Sequence, residues 1–323
     1  MAAADISLQN EAVLNAALTG LTARGQKSLP PWLFYDEAGS LLFEQITALP
    51  EYYLTRTERE VFVTHADEIV TALGADVTLA ELGAGSAAKT GVLLRAATKF
   101  QDEVLYQPID ISPSALDEAA ASIAERIPGV KVEPQVANYI TERYDIARPK
   151  GQKVLALYIG SSIGNFSPSE AVQILSNLRQ HLQVGDALLL GTDLSPSVEK
   201  SVDTLLAAYD DAAGVTAAFN LNVLARLNCE LGADFDVAAF AHRARWNQGC
   251  SRIEMHLESL IAQTVHIAGE TISFAAGETI HTENSHKFTE ASLQQLLGSA
   301  DFSASRTFLS PTKSFAVTLA VAV

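Results

Sequence analysis

Cysteine is nearly absent from this 323-residue chain, which contains Cys229 and Cys250 alone. Two cysteines are too few for a disulfide framework or a cysteine-based zinc site, so we expect reduced thiols and a cytoplasmic location. No apolar run is long enough to cross a bilayer. The N-terminal MAAADISLQNEAV carries acidic residues and has no apolar core, unlike a signal peptide. These features predict no association with a membrane.

Basic residues are scarce as well. The chain has 22 Lys and Arg against 38 Asp and Glu, which gives a formal net charge of −16. Such a balance repels phosphate backbones, and no Lys- or Arg-rich run offsets it, so we expect no nucleic-acid partner. The hydrophobic fraction of 48% is that of an ordinary globular protein. Nothing in the sequence requires more than a monomer.

Short apolar strands alternate with amphipathic helices through the middle of the chain, which predicts an α/β fold with a parallel sheet. The helix predicted over 167–182 opens on Ser167, Pro168 and Glu170, the signature of a capping box. Ser112 before Pro113 predicts another helix start of this kind. The predicted strands are 77–82, 104–110, 154–159, 187–190 and 315–321, the last closing the sheet.

Two regions break this alternation: the aromatic-rich residues 1–53, and residues 195–288, which begin with a helix and end in extended segments. Gly269 and Gly277 stand at expected turns of the second region. We interpret both regions as one discontinuous α+β substrate-binding domain. The predicted bounds are 1–60 and 196–285 for this domain, and 61–195 and 286–323 for a nucleotide-binding domain.

The text GAGSAAKT follows the first predicted strand and fits more than one nucleotide-binding template. Gly83, Gly85 and Ala88 match a dinucleotide fingerprint, in which glycine lets the backbone approach the ligand. Ala88 stands where a P-loop needs its second glycine, although Lys89 is in place. Glu81, two residues before Gly-x-Gly, matches the turn of methyltransferases. The turn alone therefore leaves its cofactor open.

Neighbouring residues narrow the choice. Asp110 ends the second predicted strand, where a carboxylate can accept both ribose hydroxyls in a dehydrogenase or a methyltransferase. The third strand runs into GSSIGNF, which has no carboxylate for the magnesium of a P-loop protein. An acidic surface is no obstacle to S-adenosylmethionine, whose sulfonium is positive. A methyltransferase is favoured, while an NAD-dependent oxidoreductase and a nucleotide-binding protein without turnover stay open.

Longer blocks are more specific than any glycine motif. They are FYDEAGSLLFEQI, LPEYYLTRTE, ELGAGSAAKT, PIDIS, YIGSSIGNF, AYDDAAGVTAAFNLNVL, IEMHL and HTENSHKF. Through them the chain resembles, nearly end to end, the histidine Nα-methyltransferases of ergothioneine biosynthesis. The resemblance implies a Rossmann-like class I methyltransferase sheet, S-adenosylmethionine as cofactor and trimethylation of the α-amine of L-histidine to hercynine. The family also contains a fungal enzyme for a prenylated tryptophan, so another aromatic amino acid is the alternative substrate.

The resemblance also implies roles for individual residues. Those assigned to the cofactor, with Asn138 where the family has an aspartate, are Glu81, Gly83, Gly85, Lys89, Asp110, Asn138 and Tyr139. Those assigned to the amino acid are Asn165 and Tyr209 for its carboxylate, Tyr52, Glu283 and Ser285 for its imidazole, Met255 against the ring, and Tyr35, Phe43 and Gly160 near the amine.

Other readings of polar residues carry less weight. His281 and His286 flank Glu283, but H-x-E-x-x-H in an extended segment matches no metal-ligand spacing, so we predict no metal. The pair Asp210 and Asp211 is interpreted as a solvated face or as charge at a helix start. Glu283 itself favours imidazole over indole, because a buried carboxylate facing indole carbon costs roughly a few kcal/mol unless it is paired.

Overall fold

The structure is a computed structural model that describes residues 3–85, 87, 89–140 and 142–323, with side chains from residue 11 onward. None of the helices in these ranges is both long and apolar enough to span a membrane. The α-helices are α1 (Ala3–Leu21), α2 (Glu37–Ala48), α3 (Leu54–Thr71), α4 (Thr90–Ala97), α5 (Pro113–Arg126), α6 (Pro168–Arg179), α7 (Val202–Ala207), α8 (Val215–Leu231) and α9 (Glu290–Ser299).

Short 3₁₀ helices cover Pro31–Phe34, Ser162–Asn165 and Val237–Ala239. The strands are β1 (Lys27–Ser28), β2 (Val77–Leu82), β3 (Val104–Asp110), β4 (Val130–Val132), β5 (Gln135–Val136), β6 (Lys153–Tyr158), β7 (Ala187–Asp193), β8 (Phe240–Asn247), β9 (Arg252–Ser259), β10 (Gln263–Ile267), β11 (Glu270–Phe274), β12 (Thr279–His286), β13 (Phe302–Leu309) and β14 (Phe315–Ala322).

The chain divides into two compact units. The first contains residues 1–53 and 201–286, and the second contains residues 54–200 and 287–323. The observed boundaries differ from the predicted ones by a few residues. Residues 54–60 belong to the second unit because Leu54–Thr71 is one continuous helix. Residues 196–200 also stay with it, where Lys200 pairs with Asp193 of β7.

The second unit contains an eight-stranded sheet in the order β13-β14-β7-β6-β2-β3-β4, with β5 also paired to β3. The strands from β2 to β7 run parallel, whereas β14 is antiparallel to β7 and to β13. This order confirms the predicted class I methyltransferase sheet. The strand predicted to close the sheet is β14, and it lies inside the sheet because β13 pairs with its outer edge.

The sequence determines these elements in simple ways. Every residue of β2 is buried, as expected of a parallel strand covered on both faces. Helix α6 begins at the predicted capping box, in which the Ser167 hydroxyl accepts from the Glu170 N–H and the Glu170 carboxylate accepts from the Ser167 N–H. Ser112 caps α5 by accepting from the Ala115 N–H. These elements position the carboxyl ends of β2, β3 and β6. The loops that carry the candidate site begin at these ends.

The first unit combines helices α1, α2, α7 and α8 with a four-stranded sheet in the order β1-β12-β9-β8. A hairpin of β10 and β11 turns at Ala268 and Gly269, both with positive φ, as predicted for Gly269. Asp211 accepts hydrogen bonds from the N–H groups of Val215 and Thr216 at the start of α8, which confirms its interpretation as helix-start charge. The predicted α+β character of this part is therefore observed.

Candidate active site

The glycine turn after β2 is joined to the end of β3. The Gly83 N–H donates to the carbonyl of Ile109 at 2.9 Å, and the Gly85 N–H donates to Asp110 Oδ2 at 3.0 Å. Both glycines have positive φ, 68° and 50°, a conformation that favours glycine. The structure therefore brings Gly83, Gly85 and Asp110 together. Ala88, the third position of the dinucleotide fingerprint, lies outside the described residues.

Asp110 is held by backbone donors on both carboxylate oxygens. Its Oδ1 accepts from the Ser112 N–H at 2.9 Å, while Oδ2 accepts from Gly85. An ionised carboxylate has about four acceptor positions, so each oxygen can accept a further hydrogen bond. A fixed carboxylate at the end of a parallel strand suits the two hydroxyls of a ribose.

Tyr139 lies beside the glycine turn, whereas Asn138 is turned toward its own loop. A Cβ placed on Gly83 would lie 3.5 Å from the Tyr139 ring. Asn138 Oδ1 accepts from the Ile140 N–H at 3.0 Å, which closes a local turn. The amide oxygen of Asn138 is thus already engaged, and its amide nitrogen is the group that differs from the aspartate of the family.

Glu81 is buried and makes its hydrogen bonds to the protein. Its Oε2 accepts from Thr90 Oγ1 at 2.7 Å and from the Tyr106 hydroxyl. Burial raises the pKa of Glu81 to about 7, against the lowering effect of both hydrogen bonds. The contacts tie β2 to β3 and to the start of α4. The hydrogen bonds of Glu81 therefore stabilise the elements on either side of the glycine turn.

Lys89 pairs with Glu58, a residue that the sequence analysis did not single out. Glu58 lies on α3 with a side chain that is 0% exposed, and its other oxygen accepts from the Gly160 N–H at 2.7 Å. The sequence did carry a signal for it. Glu58 interrupts the buried apolar stripe of α3 formed by Leu54, Val61 and Phe62. A carboxylate on such a stripe requires a partner.

The turn after β6 carries Gly160 and Asn165. Ser161 adopts a left-handed conformation with φ 60° and ψ 19°, which is uncommon for a residue other than glycine. The Asp193 N–H donates to Ser161 Oγ at 2.9 Å and so ties this turn to β7. Asn165 ends the 3₁₀ helix that follows and is half-buried. The predicted turn without a carboxylate is therefore held by hydrogen bonds to its neighbours.

A fully buried charge cluster lies at the end of β7. Asp193 Oδ1 is 2.7 Å from Lys200 Nζ, and Asp193 Oδ2 is 2.8 Å from Lys287 Nζ. Burial lowers the pKa of Lys200 to about 8, while the attraction of Asp193 opposes this shift. Sequence reasoning missed the cluster because its members are far apart along the chain and match no local motif.

In the first unit, four residues predicted for the amino acid are brought together on neighbouring elements. Glu283 of β12 stands opposite Met255 of β9, and Ser285 lies on the same face of the sheet. The hydroxyls of Tyr209 and Ser285 are 2.7 Å apart and buried. Hydroxyl, carboxylate and thioether groups thus share one side of the β9–β12 pair.

An aromatic cluster in the same unit contains Tyr35, Phe43 and Tyr52, whereas Gly160 and Asn165, also predicted for the amino acid, belong to the second unit. Phe43 lies 5.7 Å from Tyr35 and 6.3 Å from Tyr52, and Tyr52 lies 6.3 Å from Tyr209, measured between ring centroids. Phe219 of α8 contacts both Tyr35 and Phe43 at 5.8 and 5.9 Å. Sequence reasoning did not identify Phe219. The rings of Tyr35 and Phe43 both pack against it.

Tyr209 is also fixed through its backbone. The Asn220 amide donates to His242 Nδ1 at 2.8 Å, so His242 Nε2 carries the proton and donates to the Tyr209 carbonyl at 2.8 Å. Burial lowers the pKa of His242, which keeps the ring neutral and this arrangement intact. The Thr282 hydroxyl donates to the side-chain oxygen of Asn220, Oδ1, at 2.8 Å. This chain of hydrogen bonds ties Tyr209 to the strand that bears Glu283.

Metal-ligand residue types do cluster on the opposite face of the sheet. They are Glu254, His256 and His281, whose ligand atoms lie within 4.8 Å of one another. A register shift between His281 and Glu283 turns these two residues to opposite faces, so H-x-E-x-x-H is no unit. Glu254 Oε1 is held by the Arg252 guanidinium at 2.6 Å. Since this cation already compensates the carboxylate, we assign no metal here.

The order of the sheet, with β14 antiparallel between β7 and β13, and the glycine turn after β2 are the features of an S-adenosylmethionine-dependent methyltransferase of class I. Residues 13–322 match the family described as "histidine-specific methyltransferase, SAM-dependent", and the chain belongs to that family.

Named relatives cover almost the same length. The histidine N-alpha-methyltransferase of Mycolicibacterium smegmatis is 44% identical over 96% of this chain and 95% of its own length. The protein of the same name from Mycobacterium tuberculosis is 42% identical over 91% of this chain and 90% of its own. The N-methyltransferase imqF of Aspergillus flavus is 30% identical over 88% of this chain and 78% of its own length.

Proposed function

We propose that the chain transfers three methyl groups from S-adenosylmethionine to the α-amine of L-histidine and so forms hercynine, a step of ergothioneine biosynthesis. The mycobacterial relatives named histidine N-alpha-methyltransferase support this substrate. The structural observation that carries the proposal is the buried hydrogen bond between Tyr209 and Ser285, on the face of the sheet that bears Glu283 and Met255.

The second unit offers groups that fit the cofactor. The glycine turn leaves its backbone open at Gly83 and Gly85, Asp110 presents a fixed carboxylate for the ribose, and Tyr139 lies beside the turn. Lys89 supplies an ammonium for the carboxylate of the methionine moiety. The bound cofactor supplies a methyl group on its sulfonium, and the neutral thioether is the leaving group. The protein's task is therefore alignment of the amine.

The hydrogen-bond chemistry of the first unit suits an imidazole. Tyr209 has one hydroxyl proton, and if it donates to the ligand carboxylate, the 2.7 Å contact requires Ser285 to donate to Tyr209. In this arrangement Ser285 Oγ acts as the acceptor for one ring N–H, and Glu283 accepts from the other. Both ring nitrogens would carry protons in this arrangement. An indole ring has a single N–H and would leave one of these acceptors without a donor.

The aromatic rings account for repeated methylation. The amine must be neutral to attack, so the ammonium formed by the first and by the second transfer releases a proton to water before the next transfer. Each successive cation is larger and less hydrated. We assign Tyr35 and Phe43 to this cation, whose contacts with ring faces improve with each methyl group. The family resemblance further assigns Gly160 to the surroundings of the amine and Asn165 to the carboxylate, to which an amide can donate without adding a positive charge.

Product analysis tests the proposal. The purified chain is incubated with S-adenosylmethionine and a mixture of the standard amino acids, and the products are identified by mass spectrometry. We expect histidine alone to gain methyl groups, up to three and all on the α-nitrogen. Methylation of tryptophan or another amino acid, or no methylation at all, would refute the assignment of histidine as the substrate. The proposal includes a monomeric enzyme located in the cytoplasm. Light scattering of the purified chain tests whether it is a monomer.

A further inference from the structure

Glu58 connects loops at the carboxyl end of the central strands. Its Oε1 accepts from the Gly160 N–H, directly after β6, and its Oε2 pairs with Lys89, after β2. A Cβ on Gly191 of β7 would overlap Glu58 Oε1, so the glycine is required to admit the carboxylate. The strand order reverses between β2 and β6, and open α/β sheets bind their ligands at such a point.

The burial of Glu58 calls for an explanation. Its side chain is 0% exposed, and a buried carboxylate is costly unless it is paired and hydrogen-bonded. An apolar side chain would fill the same stripe of α3 without that cost. The Lys89 side chain is 24% exposed, whereas that of Glu58 is 0% exposed, so the pair reaches the surface on the lysine side. Of the three N–H donors of Lys89, the pair with Glu58 uses one.

We propose that Glu58 is a positioning residue for the cofactor: it aims the Lys89 ammonium and fixes the Gly160 turn to receive the methionine end of S-adenosylmethionine. A free lysine side chain loses considerable rotamer entropy when it binds a carboxylate. Pairing with Glu58 removes that freedom before the ligand arrives. The inference rests on the placement of Lys89 in the cofactor site, and it does not depend on histidine being the substrate.

The test compares Glu58→Gln, Lys89→Met, the double variant and Glu60→Gln, an exposed control on the same helix. Binding of S-adenosylhomocysteine is measured by isothermal titration calorimetry. Glutamine keeps an acceptor for the Gly160 N–H but loses the charge that holds Lys89. We expect Glu58→Gln to weaken binding at least about tenfold, the worth of one charge-assisted hydrogen bond, and Glu60→Gln to leave it unchanged.

The double variant separates positioning from a purely structural role. If Glu58 acts through Lys89, the double variant binds no more weakly than Lys89→Met, because the second change has nothing left to position. It should also melt at a higher temperature than Lys89→Met, which leaves a buried charge behind. In steady-state kinetics of Glu58→Gln, the KM for S-adenosylmethionine should rise much more than kcat falls.

Unchanged or tighter binding by a folded Glu58→Gln variant would overturn the inference, as would a further loss in the Lys89→Met background. If Glu58→Gln does not fold, the comparison of Lys89→Met with the double variant decides alone. A wild-type chain that binds S-adenosylhomocysteine but does not methylate histidine would refute the proposed function and leave this inference standing.

Discussion

The hydroxyl oxygens of Tyr209 and Ser285 lie 2.7 Å apart in the first unit and join segments separated by 76 residues. The family resemblance assigns Tyr209 to the carboxylate of the amino acid and Ser285 to its imidazole. The hydrogen bond therefore couples groups meant for opposite ends of one ligand. Recognition of the two ends should be cooperative rather than independent.

Tyr209→Phe removes the hydroxyl and keeps the ring. We expect the KM for histidine to rise roughly tenfold, and stability to fall by about 1 kcal/mol, because one buried hydrogen bond is lost. Ser285→Ala should have a similar effect. The double variant should cost less than the sum of the two single effects, since each single change already removes the hydrogen bond that the two hydroxyls share. Simple addition of the two effects in steady-state kinetics would contradict the coupling.

Glu283→Gln tests the imidazole assignment. The variant keeps an acceptor but loses the charge that favours a protonated ring, so the KM for histidine should rise by a factor of about 10 or more. Affinity for S-adenosylhomocysteine should not change, because the groups assigned to the cofactor belong to the other unit. Glu270→Gln, at an exposed position of the β10–β11 hairpin, is the matched control. Unaltered histidine kinetics in Glu283→Gln would refute the assignment.

Glu81→Gln tests the pKa of Glu81. In the folded chain this pKa is about 7, against an ordinary value of 4.5. Between these two pH values the folded chain keeps the Glu81 proton, whereas the unfolded chain releases it. The stability from this group is present below pH 4.5 and is lost as the pH rises through about 7.

The free energy of unfolding should fall by ~3 kcal/mol over this pH range in the wild type. The Glu81→Gln variant should not show this fall, because glutamine cannot ionise. Urea unfolding followed by circular dichroism at about pH 5 and about pH 8 measures the difference. Glu118→Gln, on the exposed side of α5, should keep the pH dependence of the wild type. Equal pH dependence of Glu81→Gln and wild type would show that Glu81 titrates normally.

Asp193→Asn should destabilise the chain strongly, and more than Lys200→Met does. It removes the carboxylate that faces two buried ammonium groups, a change worth about 3–5 kcal/mol for one broken buried pair. Lys200→Met, by contrast, leaves Asp193 with Lys287 and removes the group whose pKa burial has already lowered to about 8. Thermal unfolding of both variants should rank them in this order, and the reverse order would refute the account of the cluster.

Local signals predicted the elements of the second unit well. Short, mainly apolar segments predicted β2 and β3 at their observed bounds, and β6 within one residue. Ser167 with Glu170, and Ser112 with Pro113, gave the correct helix starts. These features depend on residues within a few positions of one another. Backbone propensity and capping chemistry are therefore sufficient to predict them.

Contacts across the sequence were beyond such reasoning. Glu58 and Gly160 are 102 residues apart, and Lys287 reaches Asp193 across a whole inserted segment. The bulge that separates His281 from Glu283 could not be predicted either, because simple alternation places residues i and i+2 on one face. Where resemblance supplied residues, as for Tyr35 and Phe43, the structure adds their common neighbour Phe219.

Lys200 is the last residue of the second unit before residues 201–286 depart from it, and Lys287 is the first after they return. Both side chains end on Asp193, so the two ends of this insertion are anchored at a single carboxylate. Because the two ends of this segment are held close together, the entropic cost of closing it depends only weakly on its length. The segment can therefore become longer or shorter without disturbing the sheet of the second unit. Residues 201–286 can therefore differ between related proteins while the points at which the chain leaves and rejoins the second unit stay fixed at Asp193.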